Sequence, residues 1–271
     1  MLALTGMPTD LVVVCSGGSE GDIYYDTNQL PRDMKALDFH KMHSSKWRLT
    51  QEGRCQIELV ADWIRAKTGL RFSVALISEE VMVKESAVLL ALPDVRWQKG
   101  DVRLRAREWG ELEGHSGAER RVQLEQHSRH LFSNVFFYRP TDGESSADVA
   151  LRLTSLFRDV CEFNARAAII VCRTKVAWVI RALLENMPTE TYAKIRQDRD
   201  AAGQMHPGSI LQYTRHEGSG VGIKDAFCRR RIVTPWKGEN VEGVWEPMER
   251  TEYTNDELRA QVDAVPSFFN C

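Results

Sequence analysis

The sequence predicts an α/β fold: a mostly parallel central sheet with helices on both faces, then a C-terminal strand pair and a tail. Three observations predict it. Short apolar runs recur as strand candidates, continuously apolar at 11–15 and 167–172, as strands covered on both faces require, and mostly apolar at 71–77. Between them the apolar residues recur at helical spacing. The resulting order of strand, helix, strand, helix, strand, long helix, strand, helix is that of a doubly covered sheet. No linker-like stretch interrupts the pattern, so one domain is expected over residues 1–271, with an insertion at about 101–143 and an extension at about 236–271.

The first strand runs into Ser16-Gly17-Gly18-Ser19-Glu20-Gly21, whose glycines allow a tight turn and a close approach. Ligands gather at the carboxyl ends of such strands, and the residues standing there are Cys15 and Ser16. Residues 22–48 lack a period and read as a long loop. Thr50 caps a helix carrying Ile57, Val60, Ala61 and Ile64 on one face, and Gly69 stops it. After strand 71–77, Ser78 is expected to cap a helix with Val81, Ala87 and Val88, ended by Pro93. Residues 95–97 read as a short strand, and 118–133 as a charged amphipathic helix within the insertion. Gly143-Glu144-Ser145-Ser146 opens a long helix with Val149, Leu153, Leu156, Phe157 and Val160 on one face. Strand 167–172, helix 176–184 and a short helix at 189–199 follow. Residues 209–214 and 227–233 alternate as neighbouring strands. Thr254 and Glu257 form a capping box for a last helix.

Composition narrows the function. The chain has 271 residues, 43% hydrophobic and 27% charged, which is ordinary for a folded protein. A net charge of −2 gives no global attraction to nucleic acid or an anionic membrane. No apolar run reaches the roughly 20 residues of a bilayer span, and residues 1–10 lack the layout of a signal peptide. Six scattered cysteines, with no CxxC pair, form neither a zinc framework nor a disulfide scaffold. They fit reduced thiols in an intracellular compartment, cytoplasm or mitochondrial matrix alike. His40 and His43 are near in sequence but have no third ligand beside them, so no metal and no cofactor is expected.

Six segments in order resemble the histidine phosphatase superfamily, the phosphoglycerate mutase-like fold. Residues 11–22 resemble its first strand and phosphate loop. Leu49-Thr50-Gln51-Glu52-Gly53-Arg54-Cys55-Gln56 resembles its Leu-Thr-x-x-Gly-x-x-Gln helix start, and 78–87 its second phosphate-loop helix. Leu104-Arg105-Ala106-Arg107-Glu108-Trp109-Gly110 resembles its Leu-x-Glu-Arg-x-x-Gly segment. Gly143-Glu144-Ser145, with Asp148 and Arg152, resembles its Gly-Glu-Ser-x-x-Asp helix start, and 167–184 its last catalytic strand and helix. The resemblance implies phosphoryl transfer through a nucleophilic histidine, with two arginines and a second histidine holding the phosphate and a carboxylic acid protonating the leaving group.

Carried over position by position, that resemblance implies a degenerate member. The first clamp arginine falls on Cys15 and the nucleophilic histidine on Ser16. The clamp arginine of the second loop falls on Met82, the acid on Ala106 and the second histidine on Arg173. Losing one transition-state charge contact costs on the order of 100- to 1000-fold in rate, so losing all five leaves that mechanism nothing to use. The expected function is that of a pseudoenzyme, a binding or scaffold subunit of a protein or ribonucleoprotein assembly.

Two alternatives stand beside it. Arg173, with Ser16, Gly17 and the loop amides, holds a phosphate-like anion, unless Arg173 closes the pocket by pairing with Glu20 or another carboxylate. Alternatively Cys15 is a non-standard nucleophile, its thiol acidified by the glycine turn; against this, no arginine follows it closely and Glu20 adds negative charge. For partners, Arg229 and Arg231 share one strand face. They form either a solvated edge or a contact for an acidic protein or, as the lesser alternative, an RNA backbone. Trp236 and Trp245 mark a surface that packs on this chain or on another protein.

Overall fold

In this computed structural model the described residues are 6–27, 42–113, 136–198, 203–218, 222–238, 242–248 and 250–267, with 115, 119 and 122 as isolated positions. Six strands form one sheet: β1 (Asp10–Cys15), β2 (Val74–Ile77), β3 (Ala167–Cys172), β4 (Ile210–Thr214), β5 (Arg229–Val233) and β6 (Glu246–Pro247). Their order is β2-β3-β1-β4-β5-β6. β1, β2 and β3 run parallel, and β4, β5 and β6 are added antiparallel on one side. The helices are α1 (Glu20–Thr27), α2 (Gln51–Lys67), α3 (Val81–Leu90), α4 (Ser146–Glu162), α5 (Thr174–Leu184), α6 (Thr189–Gln197) and α7 (Asn255–Asp263).

The apolar strands divide their side chains between two layers, as period two demands. Leu11, Val13, Cys15, Ala168, Ile170 and Cys172 face α4 and α5. Val12, Val14, Ile169 and Val171 face α2 and α3. All six residues of β1 and of β3 are buried, each large aliphatic contributing about 1.5–3 kcal/mol. Thr50 accepts the Gly53 N–H and caps α2, while Ser145 and Asp148 form the capping box of α4. Thr254 and Glu257 do the same for α7.

The structure corrects several expectations. Residues 20–27 are helical, Asp22 accepting the Ser19 N–H at 2.8 Å, and Ser44–Lys46 form a 3-10 turn, so 22–48 is not the continuous loop expected; 28–41 lie outside the described residues. Residues 95–97 form no strand: the Gln98 N–H donates to the Ala75 carbonyl, but no ladder develops. Ser78 does not cap α3. The cap position is Glu80, and the Ser78 hydroxyl donates to the Glu80 carboxylate instead. α3 ends at Leu90 because Ala91 turns left-handed, ahead of Pro93. The helix expected over 118–133 lies almost wholly outside the described residues.

Candidate active site

The site is built where β1, β2 and β3 end. Residue 53 at the start of α2 is glycine because the loop after β1 lies directly on it. A Cβ on Gly17 would overlap the Gly53 carbonyl, and one on Gly53 would overlap the Gly18 carbonyl. This contact sets the loop, and hydrogen bonds hold it. Ser16 N–H donates to the Cys172 carbonyl at 2.8 Å. Gly17 N–H donates to Ser86 Oγ at 3.3 Å, Gly18 N–H to Gln56 Oε1 at 3.0 Å and Ser19 N–H to Asp22 Oδ2 at 2.8 Å. Four successive amides are therefore committed within the protein. The amides of Gly17 and its neighbours are thus already donated within the chain, and Gly17 still borders the cavity at the strand ends.

Glu80, at 2% exposure, is the hub that sequence reasoning missed. Its carboxylate accepts from Ser78 Oγ at 3.0 Å and from the Ala106 N–H at 3.1 Å. Its other oxygen lies 3.6 Å from the Arg173 guanidinium. Arg173 also lies over the Trp47 ring, 5.7 Å from its centroid. The carboxylate that meets Arg173 is thus Glu80 and not Glu20, whose carboxylate accepts from the Arg48 N–H. The segment carrying Ala106 is fastened from the other side by Arg152, which donates to the carbonyls of Arg105 (2.7 Å) and Ala106 (3.3 Å) and pairs with Glu144. Met82 is buried in the first turn of α3; its carbonyl accepts from Ser86 Oγ, the atom that receives Gly17 N–H. Shared contacts thus connect Gly17 to Met82 through Ser86, and Ala106 to Arg173 through Glu80. Lys84 and Arg105 point elsewhere: Lys84 lines a groove on α3, and Arg105 pairs with Glu79 and Glu108.

Cys15 is fully buried, and burial pushes its thiol up to about 12 against a weaker, opposing hydrogen bond from Thr174. Burial of this kind works against thiolate formation, in the opposite direction to the acidification expected from the glycine turn. Cys172 stands in register beside it, also buried and pushed up by desolvation.

A cavity of about 150 Å³ remains at the strand ends, between Ser16, Gly17, Asp22, Arg173, Lys175 and Arg196. Met82 and Ala106 do not line it. A second cavity of about 190 Å³ adjoins it and shares the walls Lys175 and Arg196. Among the described residues no cluster of three or more histidine, cysteine or acidic side chains is arranged to hold a metal ion.

The sequence model of the histidine phosphatase superfamily (branch 1) matches residues 42–218. This chain belongs to the histidine phosphatase superfamily. Solved structures with the same fold include mycobacterial hydrolase 1, at 18% identity and a TM-score of 0.61, covering 83% of this chain and 96% of that one. A mycobacterial glucosyl-3-phosphoglycerate phosphatase bound to VO3 matches at 19% identity and a TM-score of 0.57, covering 83% and 98%. The alpha-ribazole phosphatase of Shigella flexneri matches at 16% and 0.58, covering 77% and 91%. No curated protein sequence matches the chain. At these identities the likeness concerns the fold alone.

The C-terminal residues singled out from sequence turn toward this chain. Arg231 is 9% exposed. It lies between the rings of Trp63 (4.6 Å) and Trp245 (4.7 Å) and donates to Gln212 Oε1 at 2.9 Å. Arg229 shares that face, 5.3 Å from Trp245. Burial lowers the pKa of Arg231. The Arg231 guanidinium is thus packed within this chain and is not a fully solvated edge group. Trp236 donates its indole N–H to the Pro207 carbonyl at 2.8 Å and packs beside His206. Among the described residues no helix is long and apolar enough to cross a membrane.

Proposed function

We propose that this chain is a pseudoenzyme of the histidine phosphatase fold that works by binding, as a scaffold or assembly subunit, and not by phosphoryl transfer. The observation that carries this reading is the buried Glu80 carboxylate, bonded to the Ala106 N–H and facing Arg173. By resemblance Ala106 and Arg173 stand where the acid and the second histidine would be. A buried carboxylate repels a phosphate dianion, and here it ties both substituted positions into a structural network. Ser16 has no base hydrogen-bonded to it among the described residues, and the Cys15 thiol is buried and protonated. Purified protein is expected to hydrolyse aryl and sugar phosphates no faster than buffer, and to leave its native source with a stable protein partner. Turnover that follows the protein through purification, at a rate abolished by Ser16→Ala or Cys15→Ala, would end this reading.

A second reading is favoured by the strand-end cavity, which survives with Arg173, Lys175 and Arg196 in its wall. Its acidic member, Asp22, is engaged by Ser19. On this reading the cavity senses a phosphate-like anion through side chains and not through the loop amides. Thermal stabilisation by phosphate or vanadate that vanishes in Arg173→Ala supports it; no stabilisation by either anion removes it.

A further inference from the structure

The cavity beside the strand-end pocket has a composition that pocket lacks. One side is aromatic: Trp109, Tyr138 and Tyr192 line it, together with Val176 and Val179 of α5. Three cations, Arg107, Lys175 and Arg196, stand in the same wall, and among the described residues no carboxylate does. Two of these cations lie on Trp109, Arg107 at 4.0 Å and Lys175 at 5.1 Å from the ring centroid. Tyr192 is fixed by edge contacts with Phe136 and Trp178 and is 3% exposed, so this wall is preformed. The Nε of Arg196 is buried and has no hydrogen-bond partner among the described residues, an uncompensated donor of the sort that is costly to leave unmade.

Apolar aromatic walls favour a flat ring, and cations favour an anion. About 150 Å³ is enough room for a benzene-sized ring, and this cavity holds about 190 Å³. The anion end is supplied next door, because Lys175 and Arg196 also border the cavity containing Arg173 and Ser16. We infer that the two cavities form one binding site for a small single-ring aromatic anion, its ring against Trp109, Tyr138 and Tyr192 and its dianionic head between Arg173, Lys175 and Arg196. This rests on the reading that the strand-end cavity holds an anion, and it adds the class of ligand.

The test compares two non-hydrolysable probes, phenylphosphonate and methylphosphonate, by calorimetric titration of the whole chain. Phenylphosphonate is expected to bind roughly tenfold more tightly, the size of effect that ring packing supplies. Trp109→Leu and, independently, Tyr138→Leu are expected to reduce that preference, taken as the ratio of the two affinities within one variant, below about threefold; the half-buried Tyr138 serves if Trp109→Leu fails to fold. Arg196→Met is expected to weaken both probes. Equal affinity for the two probes, or a preference that survives both aromatic substitutions, overturns the inference and leaves the anion reading standing. Binding of neither probe overturns both. Turnover of phenyl phosphate overturns the pseudoenzyme reading alone, since the phosphonate preference is measured without chemistry.

Discussion

Glu80 decides more about this site than any residue inherited from the family pattern. A buried carboxylate is stable when paired and hydrogen-bonded, and leaving one partner alone is costly. Glu80→Ala would leave Arg173, Ser78 and the Ala106 N–H without their shared acceptor. We expect it to cost about 3 kcal/mol, read as a lower urea midpoint at unchanged slope. Asp148 gives a second test at this scale. The Arg139 guanidinium, then the Ser145 N–H and hydroxyl, hold its carboxyl at about 2. Because that value is depressed in the folded state, its stabilisation is complete above the ordinary carboxylate range near pH 4 and is lost as pH falls toward 2. Asp148→Asn should cost about 1 kcal/mol at pH 7 through the weakened cap, and its stability should fall less steeply than that of the parent between pH 4 and pH 2. Thermal melts across that range would refute this if the two curves stayed parallel.

At the scale of elements, the contact between the loop after β1 and the start of α2 is the tightest in the site. Gly53→Ala places a methyl group against the Gly18 carbonyl, and overpacking of this kind costs about 1–3 kcal/mol. A drop in melting temperature is expected, and an unshifted value would mean that the loop gives way freely. The elements themselves were legible wherever one physical signal decided them. β1 and β3 are continuous apolar runs buried on both faces, and α2, α4 and α7 begin at Thr50, Ser145 and Thr254, whose side chains do what their spacing implies. α1 was not legible, because its eight residues carry only a weak apolar period. The start of α3 misled because the Ser78 hydroxyl donates to the Glu80 carboxylate and the cap position falls on Glu80. The positions of Cys15, Ser16 and Arg173 could be read from strand ends. Glu80 could have been suspected as a carboxylate three residues beyond a buried strand. The aromatic cavity could not, since Trp109, Tyr138, Lys175 and Tyr192 come together only through tertiary packing.

Cations that sequence analysis offered as a partner surface are used to fasten the antiparallel side of the sheet, where Arg231 joins Trp63 of α2 to Trp245 before β6. Arg231→Ala should cost about 2–3 kcal/mol, from the lost aromatic contacts and an unsatisfied Gln212, with no change in affinity for RNA oligonucleotides. Denaturant unfolding beside a gel-shift titration separates the two. At the opposite side, cations that do border a cavity surround the strand ends, and the shared walls make that region the chemically distinctive part of the chain. The contact between Glu80 and Arg173 couples two positions that lie far apart in the chain. Arg173→His removes the guanidinium facing the Glu80 carboxylate and Glu80→Gln removes the acid facing the guanidinium, so the two changes made together should cost less than the sum of each made alone.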